Sequence, residues 1–268
     1  MSFFELQERF NRYIYRGFNI VSDATFHLNF SLKKDIQKNS LYKGLHKGER
    51  CFILGTGPSL NNLKDRDLEF LQRETVFGVN SLYKADICKG IFPKYYVLMD
   101  NNFWGASSNT FPNVSEAYRE RQPIFITDYR AKHLVPPSNK YILLFAKNYP
   151  VDDMRSSLDG NISITMNVVG FSILSALYMG FKEIFLLGCD YNLFCSATQN
   201  HCYDDSIENR ELEKGNLGFL LKYYALTTEF HYLIRRSAVK YGVNVVNLTP
   251  ESLLDAYPKG SLHSLLVE

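Results

Sequence analysis

Nowhere in its 268 residues does this chain approach the roughly 20 consecutive apolar residues needed to cross a bilayer. Its opening, MSFFELQERFNRYIYRGF, scatters charges where a secretory signal has an uninterrupted apolar core. The five cysteines, Cys51, Cys88, Cys189, Cys195 and Cys202, are odd in number and form no CxxC pair. A disulfide framework and a standard structural zinc site are therefore both disfavoured, and a reducing cytoplasm suits the chain best. A formal net charge of +2 gives no electrostatic argument for nucleic acid, whose binding usually shows as a concentrated basic face, so nucleic acid is not an expected partner. Internal repeats and low-complexity segments are absent as well.

What is present is an ordinary globular composition, 46% hydrophobic and 22% charged, in a chain long enough to bury a sizeable core. Aromatic residues are plentiful, with 18 Tyr and 20 Phe, and serve either as core filling or as a stacking surface for a sugar or base. Residues 1 to 48 read as an amphipathic helical extension, with Phe3, Phe4, Leu6, Phe10, Tyr13, Ile14 and Phe18 among Arg9, Arg12 and Arg16. Such a helix packs on the body of the protein or on a second copy, or makes peripheral contact with an anionic membrane surface.

From Arg50 short apolar runs alternate with helical stretches, which predicts βαβ units in an α/β, Rossmann-like, doubly wound and mostly parallel sheet over residues 49 to 268. Strands are expected at Cys51 to Leu54, Val76 to Val79, Tyr95 to Met99, Ile124 to Ile126, Tyr141 to Phe145, Glu183 to Leu187 and Val243 to Val246. Their near-continuous apolarity implies burial on both faces. Asn167 opens a helix that Gly180 ends. The Asn/Ser-rich stretch Phe103 to Arg121 reads as a loop, residues 190 to 215 as a lid segment, and about Glu211 to Tyr241 as a long helix.

In a doubly wound sheet ligands collect beyond the carboxyl ends of the strands where strand order reverses. Here those ends carry Gly55-Thr56-Gly57-Pro58-Ser59, then Asn80-Ser81, Asp100-Asn101-Asn102 and Gly188-Cys189-Asp190-Tyr191-Asn192. Gly55 and Gly57 are expected to adopt torsions closed to other residues and to admit a phosphate or ribose to the main chain, with Thr56 and Ser59 adding hydroxyls. The turn lacks the third glycine of GxGxxG and the lysine of a P-loop, which weighs against NAD and Walker-type ATP chemistry.

Asp100 and Asp190 each follow a strand; they are expected to bond ribose or sugar hydroxyls, to tie down their own turns, or jointly to hold a Mg²⁺. Asp65 and Asp67 instead sit where a helix wants capping acids. His201, in Asn200-His201-Cys202-Tyr203-Asp204-Asp205, is the candidate general base, with Asp204 placed to orient it. The other histidines, His27, His46, His133, His231 and His263, read as structural or solvent-facing.

Two segments, Phe52-Ile53-Leu54-Gly55-Thr56-Gly57-Pro58-Ser59-Leu60 and Gly180-Phe181-Lys182-Glu183-Ile184-Phe185-Leu186-Leu187-Gly188-Cys189-Asp190, resemble the bacterial sialyltransferases of glycosyltransferase family 42. They are still more similar to the domain of unknown function 115 group of surface-polysaccharide and flagellin glycosylation systems, which is related to archaeal 6-hydroxymethylpterin pyrophosphokinases. Asn200 to Asp204 and Asn247-Leu248-Thr249-Pro250-Glu251-Ser252-Leu253-Leu254-Asp255-Ala256-Tyr257-Pro258 are similar to that group's later motifs. The sialyltransferase resemblance implies a CMP-activated nonulosonic acid donor, metal-independent binding, inversion of configuration and a glycan or glycolipid acceptor. It implies that Gly55 to Ser59 and Asn80 hold the nucleotide, that Asp100 stands where those enzymes present an Asn, and that His201 takes the acceptor proton. The sequence departs from the pattern at Asn192, where the sialyltransferases place a Tyr that assists the departing phosphate; Tyr203 is the expected substitute.

The expectation is a cytoplasmic glycosyltransferase of surface-polysaccharide biosynthesis, needing no cofactor, in contact with the inner membrane or self-associated. Its catalytic residues are His201, Asp190 and Tyr203, and its donor-binding residues Gly55 through Ser59, Asn80, Asp100, Asn101, Asn167 and Asn192. Two alternatives stand beside it: a Mg²⁺-dependent pyrophosphokinase acting on a pterin-like alcohol, and a non-catalytic nucleotide- or glycan-binding subunit.

Overall fold

The computed structural model describes residues 3–105, 108–195, 200–204 and 216–266, apart from the side chains of Phe3, Phe4 and Glu8. Eight strands form one sheet: β1 Arg50–Leu54, β2 Val76–Val79, β3 Tyr95–Leu98, β4 Ile124–Asp128, β5 Tyr141–Asn148, β6 Asn161–Ser163, β7 Glu183–Leu187 and β8 Asn244–Asn247. Their order is β6-β5-β4-β3-β2-β1-β7-β8, and every neighbouring pair is parallel. After β1 the chain builds outward through β2 to β6 and then returns to place β7 on the other flank of β1. The strand order thus reverses between β1 and β7.

Central strands are apolar at successive positions because both faces are covered. In β1, Cys51 and Ile53 join one buried cluster while Phe52 and Leu54 join the cluster on the opposite face. Helices α5 (Val168–Met179) and α6 (Leu217–Lys240) supply the first cluster. Helices α3 (Asp65–Leu71) and α4 (Thr110–Ala117) contribute Leu71, Phe111 and Val114 to the second. Buried residues run unbroken from Val169 to Met179 in α5, a helix enclosed between the sheet and α6. The hydroxyls of its Ser172 and Ser175 are satisfied by back-bonding to the carbonyls of Val168 and Phe171.

Most predicted strands lie within a few residues of the observed ones, and β2 and β7 match at both ends. Strand β6 was not anticipated, since Asn161-Ile162-Ser163 carries a single apolar residue and no readable period. The stretch 103–121, expected as a loop, contains α4, whose Phe111 and Val114 reach the core. The long helix begins at Leu217 with Asn216 as its cap; residues 211–215 and most of the expected lid, 196–199 and 205–215, lie outside the described residues. Asp67 caps its helix as expected, accepting from the Lys64 amide at 2.8 Å.

The N-terminal helices α1 (Phe3–Leu28) and α2 (Phe30–Gln37) lie against the sheet. Phe26, Leu32 and Ile36 pack on Leu143 and Phe145 of β5, and the Asn39 amide donates to the carbonyls of Leu143 and Leu158, each at 2.7 Å. The segment after α2 bonds the end of α5, Gly44 N–H to Tyr178 O at 3.1 Å and His46 N–H to Met179 O at 2.8 Å. Along the outer side of α1, Leu6, Phe10, Tyr13, Ile20, Val21 and Leu28 are exposed. No helix among the described residues is long and apolar enough to cross a membrane.

Candidate functional site

The reversal between β1 and β7 opens a cavity of about 230 Å³ at their carboxyl ends. Gly55, Thr56 and Gly57 from the turn after β1 line it, together with Asn80 after β2, Asn167 at the start of α5, Asp190 and Asn192 after β7, and His201. Asp100 and Asn101 after β3 line an adjoining cavity of about 460 Å³ with Asp128, Arg130 and Lys147, and Asn80, Asn167, Val168 and Tyr223 form walls of both. Of the residues predicted for donor binding or catalysis, Pro58, Ser59 and Tyr203 line neither.

The glycine turn is built differently from the expectation. Neither Gly55 nor Gly57 has a left-handed backbone, and Gly57 is extended at φ −68°, ψ 152°. Glycine is required there by space. A Cβ on Gly57 would lie 1.8 Å from Asp190 Oδ2, and one on Gly55 2.3 Å from the Gly188 carbonyl oxygen. The turn amides are also spoken for: Gly55 N–H donates to Leu187 O at 2.7 Å, Gly57 N–H to Gly188 O at 2.8 Å and Ser59 N–H to Asp190 Oδ1 at 3.2 Å. What the turn presents to the cavity is chiefly Thr56.

Asp190 receives a second hydrogen bond, from Ser59 Oγ to Oδ2 at 2.7 Å. Burial raises its pKa, opposed by these bonds from Ser59. Both carboxylate oxygens are therefore engaged in holding the turn. Asp100 lines the other cavity and caps its own turn by accepting from Asn102 N–H at 2.9 Å. The two aspartates thus line adjoining cavities, and no cluster of three or more metal-ligating side chains occurs among the described residues.

Residues 247–254 explain why the end of β7 is so well defined. Thr249 Oγ1 accepts from Cys189 N–H at 3.0 Å, Ser252 Oγ donates to Cys189 O at 2.5 Å and Leu253 N–H donates to Asp190 O at 3.0 Å. Asn247 in turn holds the loop through Ser252 Oγ at 3.0 Å and the Leu254 carbonyl at 3.2 Å. This later motif thus frames the strand end without lining the cavity itself, apart from Leu254.

His201 is half-buried, and its ring stacks on Tyr203 at 5.0 Å and 16°. Tyr203 is buried in the core, with Lys84 Nζ 5.4 Å from its ring centre, and backs His201 without lining either cavity. The Cys202 amide donates to Thr56 O at 2.9 Å, fastening this segment to the glycine turn. Asp204 is exposed, and Asp205 lies outside the described residues.

Three further polar aromatic residues of the cavity, Tyr223, Tyr224 and His231, were not foreseen, and Tyr191 was read at a strand end without a role. Tyr191 is held in the left-handed region at φ 60° while its hydroxyl meets Thr227 Oγ1 at 2.5 Å. Tyr223 donates to the carbonyl of Met166, another left-handed residue, at φ 51°, and burial pushes its phenol up to about 12. His231, expected as structural or solvent-facing, is 1% exposed, and burial lowers its pKa to about 4. A signal existed in the spacing 223, 227, 231, which sets Tyr, Thr and His on one helical face. Asn80 is left-handed as well, at φ 46°; of the four non-glycine residues with positive φ among the described residues, Asn80, Met166 and Tyr191 line the two cavities. Backbone strain of this kind, about 1–3 kcal/mol per residue, gathers where a site must be held in one shape.

A family model described as 6-hydroxymethylpterin diphosphokinase MptE-like matches residues 25–193, which include β1 through β7 and the whole glycine turn. The chain belongs to this MptE-like family. Among solved structures, the Maf glycosyltransferase from Magnetospirillum magneticum AMB-1 is similar at 14% identity and a TM-score of 0.48, over 87% of this chain and 38% of that one. The sialyltransferase CstII from Campylobacter jejuni, solved with cytidine 5′-monophosphate, is similar at 16% identity and a TM-score of 0.49, over 80% and 85% of the two chains. A CstII structure with a trisaccharide acceptor and CMP gives 17% identity and the same TM-score of 0.49, over 78% and 85%. These likenesses are distant, and the Rossmann-like assignment of this MptE-like protein rests on its own strand order. A search of curated proteins gives no match.

Proposed function

We propose that this MptE-like protein is a glycosyltransferase of surface-glycan biosynthesis whose donor is a CMP-activated nonulosonic acid, transferred with inversion and without a metal. The observation that carries this reading is the convergence of Thr56, Asn80, Asn167, Asn192 and His201 on one cavity at the strand-order reversal. The resemblance of the β1 and β7 motifs to family 42 sialyltransferases supports the choice of donor. In the reaction the acceptor hydroxyl oxygen attacks the anomeric carbon, the bond from that carbon to the phosphate oxygen breaks, and CMP departs with the electron pair. His201 receives the hydroxyl proton. Charge grows on the leaving phosphate, and donors aimed there lower the barrier because they bind the transition state more strongly than the substrate. Thr56 and Asn192 are the cavity's hydrogen-bonding groups for that oxygen.

Family membership favours one second reading, transfer of diphosphate from ATP to a pterin-like alcohol in the same cavity. Against a Mg²⁺ held jointly by two carboxylates stand the engagement of Asp190 with Ser59 and the placement of Asp100 in the adjoining cavity.

Thermal unfolding with CMP, UDP, GDP or ATP, each with Mg²⁺ or EDTA, separates the two, since a ligand stabilises only the state that binds it. Stabilisation by CMP that persists in EDTA is the expected result. Stabilisation by ATP with Mg²⁺ alone would replace the transferase reading with the second.

A further inference from the structure

His231 reaches the cavity from α6, and its two ring nitrogens have unequal surroundings. Nδ1 lies 2.9 Å from the hydroxyl of Tyr257, itself only 2% exposed. Nε2 is fully buried and has no hydrogen-bond partner among the described residues. Burial keeps the imidazole neutral and the phenol protonated near neutral pH. One proton therefore lies between them. If Nδ1 held it, both the phenolic hydrogen and Nε2 would be left without partners. If the phenol donates it to Nδ1, only Nε2–H remains, and that is the less costly arrangement. His231 thus presents a donor whose desolvation is already complete.

The acceptor that suits it is uncharged. Among the described residues no Lys or Arg lines this cavity, whose wall includes Val79, Val169 and Leu254, and the Tyr191 ring stands edge-on to His231 at 5.9 Å. A phosphate set directly against His231 would lack a counter-charge among the described residues. The rings of Tyr191 and Tyr224, 4.6 Å apart, offer aromatic surface suited to a flat group.

Resting on the nucleotide-binding reading above, we infer that His231 Nε2–H donates to a carbonyl oxygen or ring nitrogen of the nucleotide's base, making His231 a residue that reads the base. The experiment uses the full chain and two probes, CMP and ribose 5-phosphate, with affinities measured by titration. His231→Phe should weaken CMP binding on the order of 10- to 100-fold, the loss of one buried hydrogen bond, and leave ribose 5-phosphate within about twofold. His231→Gln, which retains a donor, should recover part of the CMP affinity. In the wild type labelled with ¹⁵N-histidine, the Nε2–H resonance should shift on saturation with CMP and not with ribose 5-phosphate.

Equal loss for both probes, no loss for either, or an Nε2–H signal indifferent to CMP would each overturn the assignment. The labelled wild type decides the matter even if the variants fail to fold. Should the wild type bind no CMP at all, the nucleotide reading itself falls and takes this assignment with it. That outcome is distinct from a wild type that binds CMP without using His231.

Discussion

Ser59 and Asp190, 131 positions apart in the chain, meet across the strand-order reversal through two hydrogen bonds of 2.7 and 3.2 Å. This pair welds the turn after β1 to the end of β7, the two segments between which the cavity opens. Asp190→Ala should destabilise the fold by about 1–3 kcal/mol, because it strands a partly buried hydroxyl and amide. Ser59→Ala should cost less, and the double variant should fall short of the sum by about 1 kcal/mol, since the two residues share one interaction. Urea denaturation of the four proteins measures it; strict additivity would show that the pair does not hold the turn.

Two glycines give opposite expectations. Gly57→Ala would drive a Cβ to 1.8 Å from Asp190 Oδ2, so it should lower stability by about 1–3 kcal/mol and impair nucleotide binding. Gly17 lies within α1 with nothing within 4 Å of an added Cβ, and Gly17→Ala should stabilise by about 0.5–1 kcal/mol. Thermal melts of both variants check the contrast, and a neutral Gly57→Ala would contradict the packing described here.

The buried His231 sets a pH dependence. Its folded pKa of about 4 lies below the ordinary 6.5, so between those values the unfolded chain binds a proton that the folded chain refuses. Stability from this group is intact above pH 6.5, is lost steadily as pH falls toward about 4, and changes no further below that. The loss amounts to about 3 kcal/mol. Comparing wild type with His231→Gln across pH 4 to 7 isolates it, and identical slopes would mean that the imidazole is not desolvated.

In the proposed reaction His201 moves a proton. His201→Ala should reduce kcat by about 10²- to 10⁴-fold while CMP affinity changes little. Single-turnover transfer from a CMP-activated donor, read beside a binding titration, tests this; unchanged turnover would remove His201 from the mechanism.

Much of the scaffold was legible because its signals are local. An apolar run such as Glu183 to Leu187 has one favourable fate in an α/β chain, and Asn167 and Gly180 mark helix ends by their own side chain and backbone. The polar strand ends were likewise readable as a converging set. Strand β6 and helix α4 were not, since neither carries a strong period; they are ordered by what they pack on.

The site divides along the same line. Sequence alone determined that Gly55 to Ser59, Asn80 and Asp190 would be brought toward one edge of a parallel sheet, because burial on both faces leaves the strand ends as its polar rim. Tertiary structure decided what each does there. It assigned Asp190 to Ser59, made the glycines a matter of space between two loops, stacked Tyr203 on His201 and brought Tyr223, Tyr224 and His231 to the cavity. Those outcomes depend on distances between segments far apart in the chain and on the loss of water around them, neither of which any residue carries in its own neighbourhood.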